Sequence, residues 1–153
     1  REANSLTPIF LAAFSGHLQA VDQLATVGDG LSAVDNKGAQ VLQWASSQGH
    51  SRMVEVLTTK YGMDVKAKNF LGGGSVSAAA TVGHSRVLHY LYKHGADLEE
   101  IDQDGMQPLH FAAGHGHVEA STFLLQHVSN PGRRSKAGHL PVDGAIGSGH
   151  TSV

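Results

Sequence analysis

The dipeptide Gly-His recurs five times along this chain, at Gly16-His17, Gly49-His50, Gly83-His84, Gly116-His117 and Gly149-His150. The intervals are 33, 34, 33 and 33 residues. A period of that length constrains the architecture before any local propensity is weighed. A segment of some 33 residues cannot bury a core of its own, so successive copies must stack and cover one another's apolar faces. The residues upstream of each Gly-His keep the same register: LTPIFLAAFS, AQVLQWASSQ, GGSVSAAATV, MQPLHFAAGH and HLPVDGAIGS. Downstream, apolar pairs at helical spacing mark a second helix: Val21 and Leu24, Val54 and Leu57, Leu88 and Leu91. Asp35-Asn36-Lys37-Gly38 and Asp102-Gln103-Asp104-Gly105 read as tight turns leading into the next copy.

These residues resemble the ankyrin repeat, whose signature is Thr-Pro-Leu-His-x-Ala-Ala, then Gly-His, then Gly-Ala-Asp. The best copy of the first element is Gln107-Pro108-Leu109-His110-Phe111-Ala112-Ala113. The last is intact at Gly95-Ala96-Asp97 and altered at Gly28-Asp29-Gly30 and Gly62-Met63-Asp64. The resemblance covers essentially the whole chain. It implies an all-α fold, an ankyrin-repeat solenoid of stacked helix-turn-helix units with hairpin-like loops. The expected repeats are 2–34, 35–68, 69–101, 102–134 and a partial 135–153. Neither end carries the polar capping repeat that solenoids use. The expectation is a fragment of a longer array, or one whose ends a partner covers.

Within the first repeat, Thr7 is expected to cap the first helix and Pro8 to occupy its first turn. Gly16 is expected to end that helix in a left-handed conformation. Ala12 and Ala13 let neighbouring helices approach closely. The third repeat is the least regular, with Leu71-Gly72-Gly73-Gly74-Ser75 in place of Thr-Pro. The extra residue of the 34-residue interval falls before Gly62. In the fourth repeat Val128–Arg134 replaces Gly-Ala-Asp, although Asn130-Pro131-Gly132 still makes a turn. Both places are expected to be locally softer than the rest.

Chemistry finds few candidates. Cys is absent, which excludes disulfides, thiolate ligands and Cys nucleophiles and fits a reducing, intracellular setting, cytoplasmic or nuclear. Eleven His suggest a metal, but the resemblance assigns the Gly-His histidines and His110 to backbone hydrogen bonds. His94 and His127 fall at the ends of second helices. His115-Gly116-His117 is an attractive zinc pair, yet one of its members already belongs to a Gly-His, and no His-Glu-x-x-His or close Asp/Glu/His trio completes a shell. Gly72-Gly73-Gly74-Ser75 lacks the Gly-Lys-Ser/Thr ending of a nucleotide loop, and no Gly-x-Ser-x-Gly elbow activates a serine. The reading is a chain that is not an enzyme and needs no cofactor.

A formal charge of −2 gives no general pull toward nucleic acid or acidic membranes. No apolar run approaches the ~20 residues of a membrane helix. The expected partner is another protein, and a charged share of only 16% hints at a subunit of a larger complex. Ankyrin arrays usually bind through turn tips and the exposed side of the first helices. Carried over by position, that surface contains Phe14 in the first repeat and Asn36, Lys37, Gln48 and Lys68 in the second. The third supplies Phe70, Leu71, Val82 and Ile101; the fourth supplies Gln103, Asp104, Met106, His115 and Arg134. Ala3, Asn4 and Leu6 hold the matching places at the start. The apolar residues of the third repeat stand out as a partner patch, the rival being that they fold inward to mend a weak core. Trp44 and Phe111 fall inside first helices and read as packing residues. Arg133-Arg134-Ser135-Lys136 reads as a solvated basic loop, with a partner's carboxylate or phosphate as its functional alternative.

Overall fold

In a computed structural model, residues 7–28, 30–147 and 149 are described. Within them the chain forms α1 (Pro8–Phe14), α2 (Leu18–Thr26), α3 (Val41–Ser47), α4 (Ser51–Thr59), α5 (Ser75–Val82), α6 (Ser85–Lys93), α7 (Pro108–Gly114), α8 (Val118–His127) and α9 (Pro141–Gly147). The odd-numbered helices pack side by side as one layer. The even-numbered helices form a second layer, each against the odd helix that precedes it. The fold is the all-α stack of two-helix units that the period demands.

The core lies between the layers. Ile9, Phe10, Val21, Leu42, Met53, Leu57, Leu88, Leu91, Leu109 and Leu124 are almost fully buried, each contributing roughly 1.5–3 kcal/mol on burial. Ala12, Ala13, Ala45, Ala79, Ala80, Ala112 and Ala113 are buried along the odd-numbered layer, and their small side chains let those helices lie close together.

The Gly-His pairs explain why glycine and histidine travel together. Gly49 and Gly83 end α3 and α5 with φ of +74° and +80°, which only glycine adopts cheaply. The histidine of the following repeat then lies behind each one. A Cβ on Gly49 would meet the His84 ring at 2.5 Å, and one on Gly83 would meet His117 at 2.5 Å. From there His50 Nε2–H donates to Phe14 O at 2.8 Å, His84 to Ser47 O at 3.1 Å, and His117 to Thr81 O at 2.9 Å. Each pair therefore interlocks two repeats, and His17, with no described repeat in front of it, is exposed. His150, Asp29, Ala3, Asn4 and Leu6 lie outside the described residues.

The loops between repeats are hairpins, with isolated antiparallel bridges at Val34–Gln40 and Lys68–Gly74. One side-chain oxygen organises each. Asp35 Oδ1 accepts from Lys37 N and Ala39 N, Asn69 Oδ1 from Leu71 N and Gly73 N, and Asp102 Oδ1 from Asp104 N and Met106 N, all at 2.8–3.0 Å. The tips are stitched by backbone: Phe70 N–H donates to Lys37 O, Gln103 N–H to Leu71 O, and Lys136 N–H to Asp104 O. The hairpin that opens the third repeat thus keeps the geometry of its neighbours despite its glycines. The turn at Asn130 also forms, with Arg133 N–H donating to Asn130 O at 3.3 Å.

One local expectation is corrected. Thr7 occupies the N-cap of α1, with Pro8 in the first turn, but its hydroxyl makes no capping bond. That oxygen is buried without a hydrogen-bond partner, turned toward Gly30, where an added Cβ would stand 3.3 Å away. The extra residue of the second repeat has a visible use: Tyr61, beyond the end of α4, donates its hydroxyl to Asp22 Oδ1 of α2 at 2.6 Å.

Candidate binding groove

The odd-numbered helices and the hairpins together enclose an open groove of about 470 Å³. Its helical side is built by Phe14 from α1, Gln43, Trp44 and Ser47 from α3, Ser77, Ala78 and Thr81 from α5, and Phe111 from α7. Its hairpin side is built by Ala39, Asn69, Leu71, Gly73, Gly74 and Asp102. Register explains the helical side. In the second, third and fourth repeats the position five residues before Gly-His lines the groove, and it reads Trp44, Ala78 and Phe111. A methyl group thus sits between two large aromatic rings. Trp44 is held from behind by Phe10 and Phe14, with ring centroids 5.5 and 5.7 Å away, and its Nε1–H donates to Asp35 Oδ2 at 3.0 Å.

The α5 end of the groove is fixed by a buried carboxylate. Glu100 is 4% exposed, and its Oε1 accepts from Gly74 N at 3.1 Å, Ser77 N at 3.1 Å and Ser77 Oγ at 2.7 Å. Lys68 Nζ stands 4.0 Å from Oε2. Glu100, from the following hairpin, accepts from the N-cap N–H of α5, the group that Gln43 serves in α3 and His110 in α7.

The residues expected to meet a partner divide into two sets. Phe14 and Leu71 line the groove, and Met106 lines a smaller cavity of about 250 Å³ with His110, His139 and Pro141. Phe70, Leu71, Val82 and Ile101 are 73, 46, 45 and 39% exposed, so they do not fold inward to patch the core. Phe70 lies across the preceding hairpin, where a Cβ on Gly38 would run into its ring. Asn36, Lys37, Gln103 and Asp104 are exposed at the hairpin tips, outside the groove lining. Gln48 Nε2–H reaches Ser47 Oγ at 3.4 Å, and Arg134 Nη1–H folds onto Gly138 O at 2.7 Å. His115 donates Nδ1–H to Phe111 O at 2.8 Å. Trp44 packs against the core, as its place inside a first helix implies, and it also lines the groove, as does Phe111. The signal was available in their shared register with Ala78.

The outer layer carries different chemistry. Asp22 accepts from Tyr61 and, at 3.1 Å, from Lys60; these two bonds, Tyr61's first, hold its carboxyl below the ordinary range. Glu99 accepts from Ser129 Oγ at 2.8 and 2.9 Å and from Asn130 N at 3.2 Å, and the Ser129 bond is the main reason its carboxyl is also lowered. Among the described residues no three His, Asp or Glu side chains converge as a metal site requires. His115 and His117 stand with rings parallel and 6.1 Å apart, but both are engaged by backbone carbonyls.

Comparison with known proteins matches two family models. One described as ankyrin repeats in three copies covers residues 1–69, and one described as ankyrin repeats in many copies covers residues 76–125. The chain is 28% identical over 109 residues to Putative glutaminase 2 of Caenorhabditis elegans, covering 71% of this chain and 18% of that protein. It is 30% identical over 94 residues to Ankyrin repeat domain-containing protein 63 of Mus musculus, covering 60% and 24%. To the Probable E3 ubiquitin-protein ligase XBOS32 of Oryza sativa subsp. japonica it is 30% identical over 107 residues, covering 68% and 21%. The chain spans a quarter or less of the length of these relatives.

Proposed function

This chain belongs to the ankyrin-repeat family, and we propose that it is a protein-interaction scaffold or adaptor that binds its partner in the groove between the odd-numbered helices and the hairpins. The observation that carries the reading is the exposed apolar surface there. Phe14, Leu71, Trp44 and Phe111 line one open groove, with Phe70, Val82 and Ile101 exposed on the third repeat and its edge. Contiguous exposed apolar groups rimmed by polar ones mark protein contacts. Such a site works by burial and complementarity, with aromatic anchors supplying most of the affinity. It requires no chemistry of its own.

A second reading is favoured by the comparisons. Relatives named as a putative glutaminase and a probable ubiquitin-protein ligase are several times longer than the matched region. In that reading the array is the binding arm of an enzyme, or a structural subunit of a larger assembly. Among the described residues no helix is long and apolar enough to cross a membrane, and the absence of Cys favours a reducing intracellular compartment.

Affinity capture from the native source tests the groove. The expected result is that Phe70→Ala with Leu71→Ala, and separately Ala78→Trp, lose the partner that the unaltered chain retains, with thermal melts unchanged. Equal capture by all three proteins would rule the groove out.

A further inference from the structure

We infer that the groove receives an arginine side chain carried by the partner protein, seated over Ala78 between Trp44 and Phe111 with its guanidinium on Asp102. The inference rests on the groove reading and names the chemistry of what enters it. Its basis is a difference between two equivalent aspartates. Asp35 and Asp102 hold the same place in their hairpins, and each uses Oδ1 to organise the turn. Asp35 commits Oδ2 to the indole N–H of Trp44. In the fourth repeat the corresponding ring is Phe111, which has no donor. Asp102 Oδ2 therefore makes no hydrogen bond among the described residues, although Asp102 lines the groove.

Three further observations point to a cation. Asp104, on the same hairpin, is exposed and has no ion pair among the described residues, so the tip carries two uncompensated carboxylates. Lys68 does not serve them, because Glu100 engages its ammonium. The walls beside Ala78 are aromatic, and a guanidinium both stacks on aromatic faces and forms charge-assisted, directional bonds with a carboxylate. Its aliphatic stem has Ala78 and Leu71 to lie against.

The test is to pan a displayed library of random 12-residue peptides on the chain and measure the recovered peptides in solution. The expected peptides share an arginine, and replacing it by alanine weakens binding about tenfold to a hundredfold. Asp102→Asn produces a similar loss, and the two changes together lose little more than either alone. That variant keeps the fold, because Asn69 organises the third hairpin with the same Oδ1 bonds. Ala78→Trp blocks the same peptides. Peptides that lose binding to Ala78→Trp but lack a shared arginine, or that tolerate Asp102→Asn, overturn this inference and leave the groove standing. Recovery of no peptides, or of peptides indifferent to Ala78→Trp, overturns the groove reading with it.

Discussion

Repeats two and four tie the start of their first helix to the following hairpin with a long polar side chain on the helix; repeat three ties it with a long side chain on the hairpin. Gln43 reaches forward from α3 to Ala67 O and Gly73 O, both at 3.1 Å, and accepts from Gln40 N. His110 does the same in α7, donating to His139 O at 3.1 Å and accepting from Gln107 N at 3.0 Å. The third repeat has Ser77 at this position, too short to cross, and Glu100 reaches back from the next hairpin to bond it. The lesson is that a repeat can lose its signature and keep its register when a partner position changes length in compensation. The same repeat also carries Ala78 where its neighbours carry rings, so the irregular unit both keeps the stack continuous and opens the groove.

The largest test of that comparison is Glu100→Ala. It strands two backbone N–H groups and a hydroxyl in a buried place, and should cost about 2–4 kcal/mol in denaturant unfolding. Gln43→Ala, which removes the equivalent tie in repeat two, should cost about 1–3 kcal/mol. Adding Ser77→Gln to Glu100→Ala would restore the helix-side pattern and recover part of the loss; no recovery would break the equivalence drawn here. A smaller contrast separates the two aspartates. Asp35→Asn removes the acceptor of the Trp44 indole N–H and should cost about 1–2 kcal/mol, whereas Asp102→Asn should change stability by less than about 0.5 kcal/mol. Equal effects on the two melts would mean that Asp102 Oδ2 has a structural partner after all.

The smallest effects belong to two half-buried carboxylates, Asp22 on α2 and Glu99 in the loop after α6. Asp22 and Glu99 are both lowered in the folded chain, from ordinary values of 3.8 and 4.5. The stability they add is therefore present above those values and disappears as pH falls through the lower, folded ones. Solvent screening at these half-buried sites keeps the contribution slight. In melts taken from pH 6 to pH 3, Asp22→Asn together with Glu99→Gln should make the acid-side decline in Tm shallower. A steeper decline would reverse the sign assigned to both contacts.

Most of the scaffold was legible in the sequence because it depends on short-range rules. Gly16 announces the left-handed end it adopts, with φ of +75°, Asp35 and Asp102 announce their turns, and Val54 with Leu57 announces a buried helical stripe. The Glu100 tie was not legible. Its donors lie 23 and 26 residues away, and no local pattern distinguishes a glutamate that turns into the stack from one that faces water. The groove was half legible. Position along the repeat identifies Phe14 and Leu71, and a place inside a first helix marks Trp44 as a packing residue; that the same ring packs against Phe10 and also lines a surface is not visible in its position. The Thr7 cap failed for a similar reason: the residue type was right, and the direction of one hydroxyl was set by its neighbours.

The most direct measurement of the central claim is site-specific photocrosslinking in the native source. A benzophenone side chain would be placed in turn at Ala78, in the groove, and at Lys93, on the outer layer. The account predicts that a partner protein is trapped from position 78 and not from position 93. Trapping from the outer helix alone, with nothing captured from the groove, would contradict it.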